Sequence, residues 1–184
     1  MRCPNCKQGE LKYAQLEENL PCQTCTNCGG HWLLLVDYLS WQSANRSKKL
    51  EAPSIIINES EDTTKALICP VSGKLMTKYR ISSKTDHKVD LSSSVNAIWL
   101  DKEEWNLLKQ EGLTLQLNHI FTEPYQKNIR EELASKSFER VYQQQFGEES
   151  YSKIKAFKEW LDTQDKRAEI LAYLIADNPY DRVR

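Results

Sequence analysis

The chain has 184 residues, 40% hydrophobic and 28% charged, with a net charge of −1. That balance fits a soluble protein with a modest core and excludes a disordered polyelectrolyte. Residues 1–50 carry six Lys/Arg against four Asp/Glu, residues 51–120 eight against ten, and residues 121–184 eleven against twelve. None is the basic excess that drives non-specific phosphate binding, so any nucleic-acid contact has to be local. The longest apolar runs, "WLLLV" and "ILAYLIA", fall well short of a membrane span, and "MRCPNC" opens the chain with no stretch like a signal peptide. The expectation is a cytoplasmic protein, where thiols stay reduced and cysteine pairs are more often metal ligands than disulfides.

In chain order the first feature is "CPNC", residues 3–6, followed after eighteen residues by "CTNC", residues 25–28. Two C-x-x-C pairs at this separation form a zinc-site pattern. Four thiolates surround zinc tetrahedrally at about 2.3 Å, and each C-x-x-C turn presents two of them from one knuckle. The intervening residues have room for a β-hairpin, which makes the arrangement a zinc ribbon with Cys3, Cys6, Cys25 and Cys28 as ligands.

Cys22 offers an alternative knuckle, "CQTC". The residue after a knuckle's second cysteine often needs positive φ. Gly29 supplies that after "CTNC", whereas Thr26, which follows "CQTC", is β-branched and poor at it. Cys22 is therefore expected to be a partly buried small side chain or a free thiol. The competing use, a Cys22/Cys25 redox pair in a thiol oxidoreductase or sensor, would want a βαβ pattern around it, and none is present. His31, beside the second knuckle, is a candidate donor to a ligand sulfur.

A second stretch repeats the order of these features. Aligning Trp32 with Trp99 places Tyr38 on Trp105, Cys28 on Val95 and Cys25 on Ser92, while "CPNC" meets "CPVS", residues 69–72, and Tyr13 meets Tyr79. The pattern reads as an internal duplication. Only Cys69 survives among the four ligand places, so this copy is expected to be a metal-free ribbon held by side-chain packing. Each copy ends in a helix-like tail. In "LDKEEWNLLKQEG", Asp101 is a good N-cap, Glu104 has the capping-box spacing and Gly112 is a natural stop. The tail "WLLLVDYLSWQS" is more apolar, less well capped and expected to be packed.

At these residues the sequence resembles the bacterial zinc-ribbon family named after transcription factor IIB. That family has a CPxC knuckle, a spacer, then C-P-x-C-G-G followed by a bulky residue and W-L-D. The chain has "CPNC" and "CTNCGGHWL", and the second copy supplies "IWLD". The likeness is good over residues 1–40 and weak over 67–110. It departs at Thr26, where Pro is usual, and at Leu34, where Asp is usual. The resemblance implies zinc at Cys3, Cys6, Cys25 and Cys28, and DNA binding or transcription only by analogy.

Residues 44–66 read as a linker whose "SIIIN" run is an edge strand or docking segment. Residues 113–121, "LTLQLNHIF", alternate in the strand period. Three helices are expected after that, at about 123–146, 148–162 and 165–177. Ile154, Phe157 and Leu161 share a face in the second, and Ile170, Leu171, Leu174 and Ile175 point inward in the third. The aromatic residues Tyr125, Phe138, Tyr142, Phe146, Phe157 and Trp160 are expected in a core. The fold class is α+β: a zinc ribbon at 1–43, the linker, a degenerate ribbon repeat at 67–112, and a connecting strand and helical region at 113–184. No nucleotide-binding, hydrolase-nucleophile or zinc-protease motif occurs, and four sulfurs leave zinc no open position for substrate. The expected function is a non-catalytic zinc-binding module for protein or nucleic acid, with neither a membrane nor a small-molecule substrate indicated.

Overall fold

The computed structural model describes residues 1–46 and 65–180. The "SIIIN" run and most of the linker lie outside the described residues. The chain divides into two compact units, Met1–Leu133 and Ala134–Arg184.

The first unit is built on one antiparallel sheet. Its strands are β1 (Leu11–Glu17), β2 (Leu20–Cys25), β3 (His31–Leu34), β4 (Thr77–Arg80), β5 (Lys88–Ser92) and β6 (Ala97–Leu100), in the order β1-β2-β3-β6-β5-β4. The β1–β2 hairpin closes through Asn19 at φ 62°, a left-handed position that Asn tolerates. At the middle of the sheet β3 and β6 pair with Trp32 opposite Trp99, flanked by His31–Leu100 and Leu33–Ile98. Outward from that pair the two halves match. Gln23 pairs with Trp32 as Asp90 pairs with Trp99, and Thr24 pairs with His31 as Leu91 pairs with Ile98. On the outer strands, Tyr13 pairs with Gln23 and Lys78 with Asp90. Lys78 therefore stands at the place of Tyr13, and the sequence match of Tyr13 with Tyr79 is one residue out of register.

Because side chains alternate along a strand, the sheet separates two apolar clusters. One contains Leu20, Cys22, Leu33, Val89, Ile98 and Leu100, and it is covered by helices α1 (Leu35–Asn45) and α2 (Glu104–Gln110) through Tyr38, Trp41, Trp105 and Leu108. The rings of Trp41 and Trp105 meet edge to face at 5.6 Å. As expected, the first tail packs through Tyr38 and Trp41, although Val36 and Leu39 remain exposed. Its first turn has no side-chain cap at Leu34, and the N–H of Leu35 is instead taken by the carbonyl of Asn96 across the sheet.

The capping box in the second tail forms by half. Glu104 accepts from the backbone N–H of Asp101 at 2.8 Å, but the Asp101 carboxylate is engaged by Trp99 Nε1 and Asn5 Nδ2. The helix starts at Glu104 rather than beside Asp101, and it stops at Gly112, whose φ is +68°.

Residues 113–121 do not form a strand. A 3-10 turn, Thr114–Gln116, leads into the short helix α3, Leu117–Ile120. The leucines alternate with period two, but Thr114, Leu117 and Ile120 are the buried residues, at helical spacing. Side chains of α1 hold the backbone here. Tyr38 donates to the Thr114 carbonyl and accepts from the Leu117 N–H, and Gln42 reaches Leu115 and Asn118. Helix α4, Glu123–Phe146, begins against the edge strand β4, where Gln126 bonds both backbone groups of Arg80. That contact covers an edge that would otherwise offer free ladder groups.

The second unit holds the rest of α4, α5 (Glu148–Asp162) and α6 (Arg167–Ile175), near the expected bounds. Its aromatic residues are not a core. Phe138, Tyr142, Phe146, Phe157 and Trp160 are exposed, as are Leu171, Leu174 and Ile175 of α6, and only Tyr125, which lies in the first unit, is packed against a core. Among the described residues no helix is long and apolar enough to cross a membrane.

Candidate metal centre

The two knuckles stand at one end of the first hairpin. Cys3 and Cys6 precede β1, Cys25 ends β2, and Cys28 lies in the turn before β3. The β1–β2 register sets Leu11 opposite Cys25, which brings the first knuckle over the second. Each knuckle closes in the same way. The N–H of Lys7 donates to the Cys3 carbonyl and that of Gly29 to the Cys25 carbonyl. The N–H groups of Cys3 and Cys25 donate in turn to the carbonyls of Gly9 and Gly30. Gly29 has the positive φ expected of it, at 75°, and Lys7 takes the same conformation in the first knuckle at 58°.

The four sulfurs of Cys3, Cys6, Cys25 and Cys28 lie within 4.8 Å of one another, with Cys3–Cys28 and Cys6–Cys25 both at 3.6 Å. Tetrahedral Zn–S bonds of about 2.3 Å separate sulfurs by about 3.8 Å, so the set fits zinc. Among the described residues it is the one group of three or more His, Cys, Asp or Glu donors placed this way. Backbone N–H groups point at the sulfurs, Gly9 to Cys6 at 3.4 Å and Asn27 and Cys28 to Cys25 at 3.4 and 3.5 Å. Such donors favour thiolates and fix their orientation.

The thiols themselves differ. Burial pushes Cys3 upward and Cys28 up to about 11. At Cys6 burial is outweighed by the N–H groups of Gly9 and Gln8 and the bonds from Asn27 and Cys25, which bring it down to about 6. Zinc binding must therefore displace the protons that burial holds on Cys3 and Cys28. A side chain at Gly9 would press on Cys25 Sγ and the backbone of Asn27, so that position is closed to larger residues.

Cys22 is on the other side of the sheet. It is buried in the helix-covered cluster, three residues from Cys25 and so on the opposite face of β2. A Cys22/Cys25 redox pair is not supported by that placement. Cys22→Ser is expected to keep the metal while losing about 1–3 kcal/mol of stability for a hydroxyl in apolar surroundings. Metal content and thermal melting of that variant check this. His31 does not reach a sulfur; its Nδ1 lies 2.9 Å from Thr24 Oγ1, and burial lowers its pKa against the pull of Glu103.

The other end of the sheet carries the corresponding turns. The N–H of Cys69 donates to the Lys74 carbonyl and that of Gly73 to the Cys69 carbonyl, and Gly73 and Asn96 take φ of 69° and 49°. Ser72 donates its N–H to Cys69 Sγ at 3.3 Å, and the Ser72, Ser92 and Ser94 hydroxyls form a chain at 2.7 and 3.2 Å. Val95 packs into the cluster that also holds Cys69, Trp32, Trp99 and the four sulfur ligands. Sequence reasoning missed two residues that matter to the metal end. Asn5 ties the first knuckle to Asp101 at 2.8 Å, and Trp99 bonds the same carboxylate at 2.7 Å. The Asn5 contact spans no motif and depends on the β3–β6 pairing that brings Asp101 to the first knuckle, whereas the Trp99 contact lies within the "WLD" of the second copy, two residues apart in sequence.

Residues 2–44 match the family described as transcription factor zinc-finger, a zinc ribbon of the TFIIB type. No curated protein and no solved structure matches the chain. The matched residues contain all four clustered cysteines, which indicates zinc binding.

Proposed function

We propose that this zinc-ribbon chain is a non-catalytic module that binds another macromolecule, with Cys3, Cys6, Cys25 and Cys28 as the ligands of one structural zinc. The observation that carries it is the four-sulfur set itself. Four protein sulfurs complete a tetrahedral shell and leave no position for water or substrate, which a catalytic zinc requires. One zinc equivalent per chain is the expected content of the purified protein. Two equivalents would overturn the reading of residues 67–112 as a ribbon without metal.

The matching halves of the sheet, the paired turns and the positive φ at Lys7, Gly29, Gly73 and Asn96 support an internal duplication. In that reading the second copy gave up its ligands and took over the packing role, with Val95 in place of a sulfur. It gives the zinc ribbon a rigid neighbour instead of a second metal.

The family match supports a nucleic-acid partner or a part of the transcription machinery, while the near-neutral charge supports a protein. Arg2, Lys7, Lys12 and Arg46 are exposed in the first unit, and Lys48 and Lys49 lie outside the described residues. Each phosphate neutralised adds about 0.9 to the slope of log affinity against log salt. Residues so scattered give two or three contacts at most, and a slope of about two to three. The test is a salt titration against duplex DNA, single-stranded DNA and RNA. Tight binding that persists above about 0.2 M salt would reject a protein partner, and absence of binding at low salt would reject nucleic acid.

A further inference from the structure

The second unit presents an apolar surface that it does not cover itself. Among its described residues only Leu161 is buried, while Phe138, Tyr142, Phe146, Ile154, Phe157 and Trp160 are each 40–63% exposed. These are not scattered. Phe138, Tyr142 and Phe146 recur every four residues, so they form one stripe on α4, and Ile154, Phe157 and Trp160 recur every three along one side of α5. Rings meet within each stripe, Tyr142 stacked on Phe146 at 5.6 Å and Phe157 tilted against Trp160 at 5.4 Å. The two helices are joined where Glu139 of α4 accepts from Tyr151 and Lys155 of α5 at 3.1 and 2.5 Å.

We propose that this face is a homodimer interface, in which the α4–α5 hairpin of one chain packs against that of a second copy. Two observations choose a second copy over other occupants. The first is charge. Residues 134–184 carry nine Lys/Arg against nine Asp/Glu, so two copies meet without net repulsion, and the surface lacks the cationic excess that draws a helix onto anionic lipid or nucleic acid. The second is area. Side chains of this size bury 150–250 Å² each, so six of them about half exposed offer roughly 600 Å². That is the larger part of the ~800 Å² per partner of a stable interface, whose remainder is a polar rim. Two hairpins meeting by such faces form a four-helix arrangement, a common way to bury stripes spaced at three and four residues. The inference does not depend on zinc or on the identity of the partner of the ribbon.

The test is the mass of the full zinc-loaded chain by light scattering and sedimentation across a concentration range. The expected result is twice the 21.4 kDa of one chain, reverting to 21.4 kDa when Phe157 and Trp160 are both changed to Glu. Helical circular dichroism and zinc content of that variant should match the parent, because both positions are exposed. Should the variant lose helix, Phe138→Ser with Tyr142→Ser asks the same question from α4. A parent that stays monomeric at ~100 μM, or a dimer that survives both sets of changes, would overturn the proposal. So would a monomer that sediments with vesicles of mixed phosphatidylcholine and phosphatidylserine, since the face would then be a membrane-docking surface.

Discussion

Cys28→Ser is expected to strip the protein of zinc and to unfold the metal end of the sheet. Structural zinc in small units supplies on the order of 10 kcal/mol of folding free energy, as much as the whole net stability of an ordinary domain, 5–15 kcal/mol. The remaining three sulfurs cannot complete the tetrahedron, and the Cys3 sulfur, 3.6 Å from that of Cys28, loses its nearest thiol neighbour. The damage should not stop at the first hairpin. Cys3, Cys25 and Cys28 share one apolar cluster with Trp32, Trp99, Met76 and Leu67, so loosening the knuckles opens the packing of β6 and of the turn at Cys69. Zinc content, tryptophan fluorescence and near-ultraviolet circular dichroism measure the three consequences separately. Chelation of the parent protein should reproduce them, and added zinc should reverse them. A serine variant that keeps a full equivalent of zinc would show that the ligand set is wrong.

The metal site was legible in the sequence because a C-x-x-C knuckle is a local device whose spacing fixes its geometry. Gly29 adds the conformational signature of the turn. The long helices were legible for a similar reason: Glu123–Phe146 and Glu148–Asp162 meet at Gly147, and neither run contains a glycine. What local pattern could not carry was contact at a distance. Residues 113–121 alternate like a strand, yet Tyr38 and Gln42, more than seventy residues earlier, bind their backbone groups and turn them into helix. Asp101 looks like an N-cap, yet its carboxylate is drawn to Trp99 and Asn5. Cys22 and Cys25 look alike on the page, but the two-residue period of β2 sends them to opposite faces. The aromatic residues of the second unit have the spacing of a core, and spacing alone does not say whether the covering surface belongs to the same chain.

The junction of the two sheet halves should be the most sensitive packed site away from the metal, and Gly30 with Trp99 tests it as a pair. Trp99 is fully buried at the centre of β6, opposite Trp32 and hydrogen-bonded to Asp101. Trp99→Ala removes most of that volume and leaves the Asp101 carboxylate short of one donor. Truncating a buried Trp costs about 3–5 kcal/mol. Gly30→Ala acts from the opposite side. A Cβ there would lie 2.8 Å from Trp99 Cη2, and closer still to Cζ2, and the ring is fully buried. Overpacking of this kind costs about 1–3 kcal/mol. The two effects share one volume, so they should not add. With the ring gone the alanine at position 30 has room, and Gly30→Ala should cost close to nothing in the Trp99→Ala background. The coupling, read from urea melts of parent, both single variants and the double, is expected at about 1–3 kcal/mol in the favourable direction. Additive losses would mean that Gly30 is required by its own backbone and not by the ring. The knuckle and β6 would then be neighbours without being energetically joined.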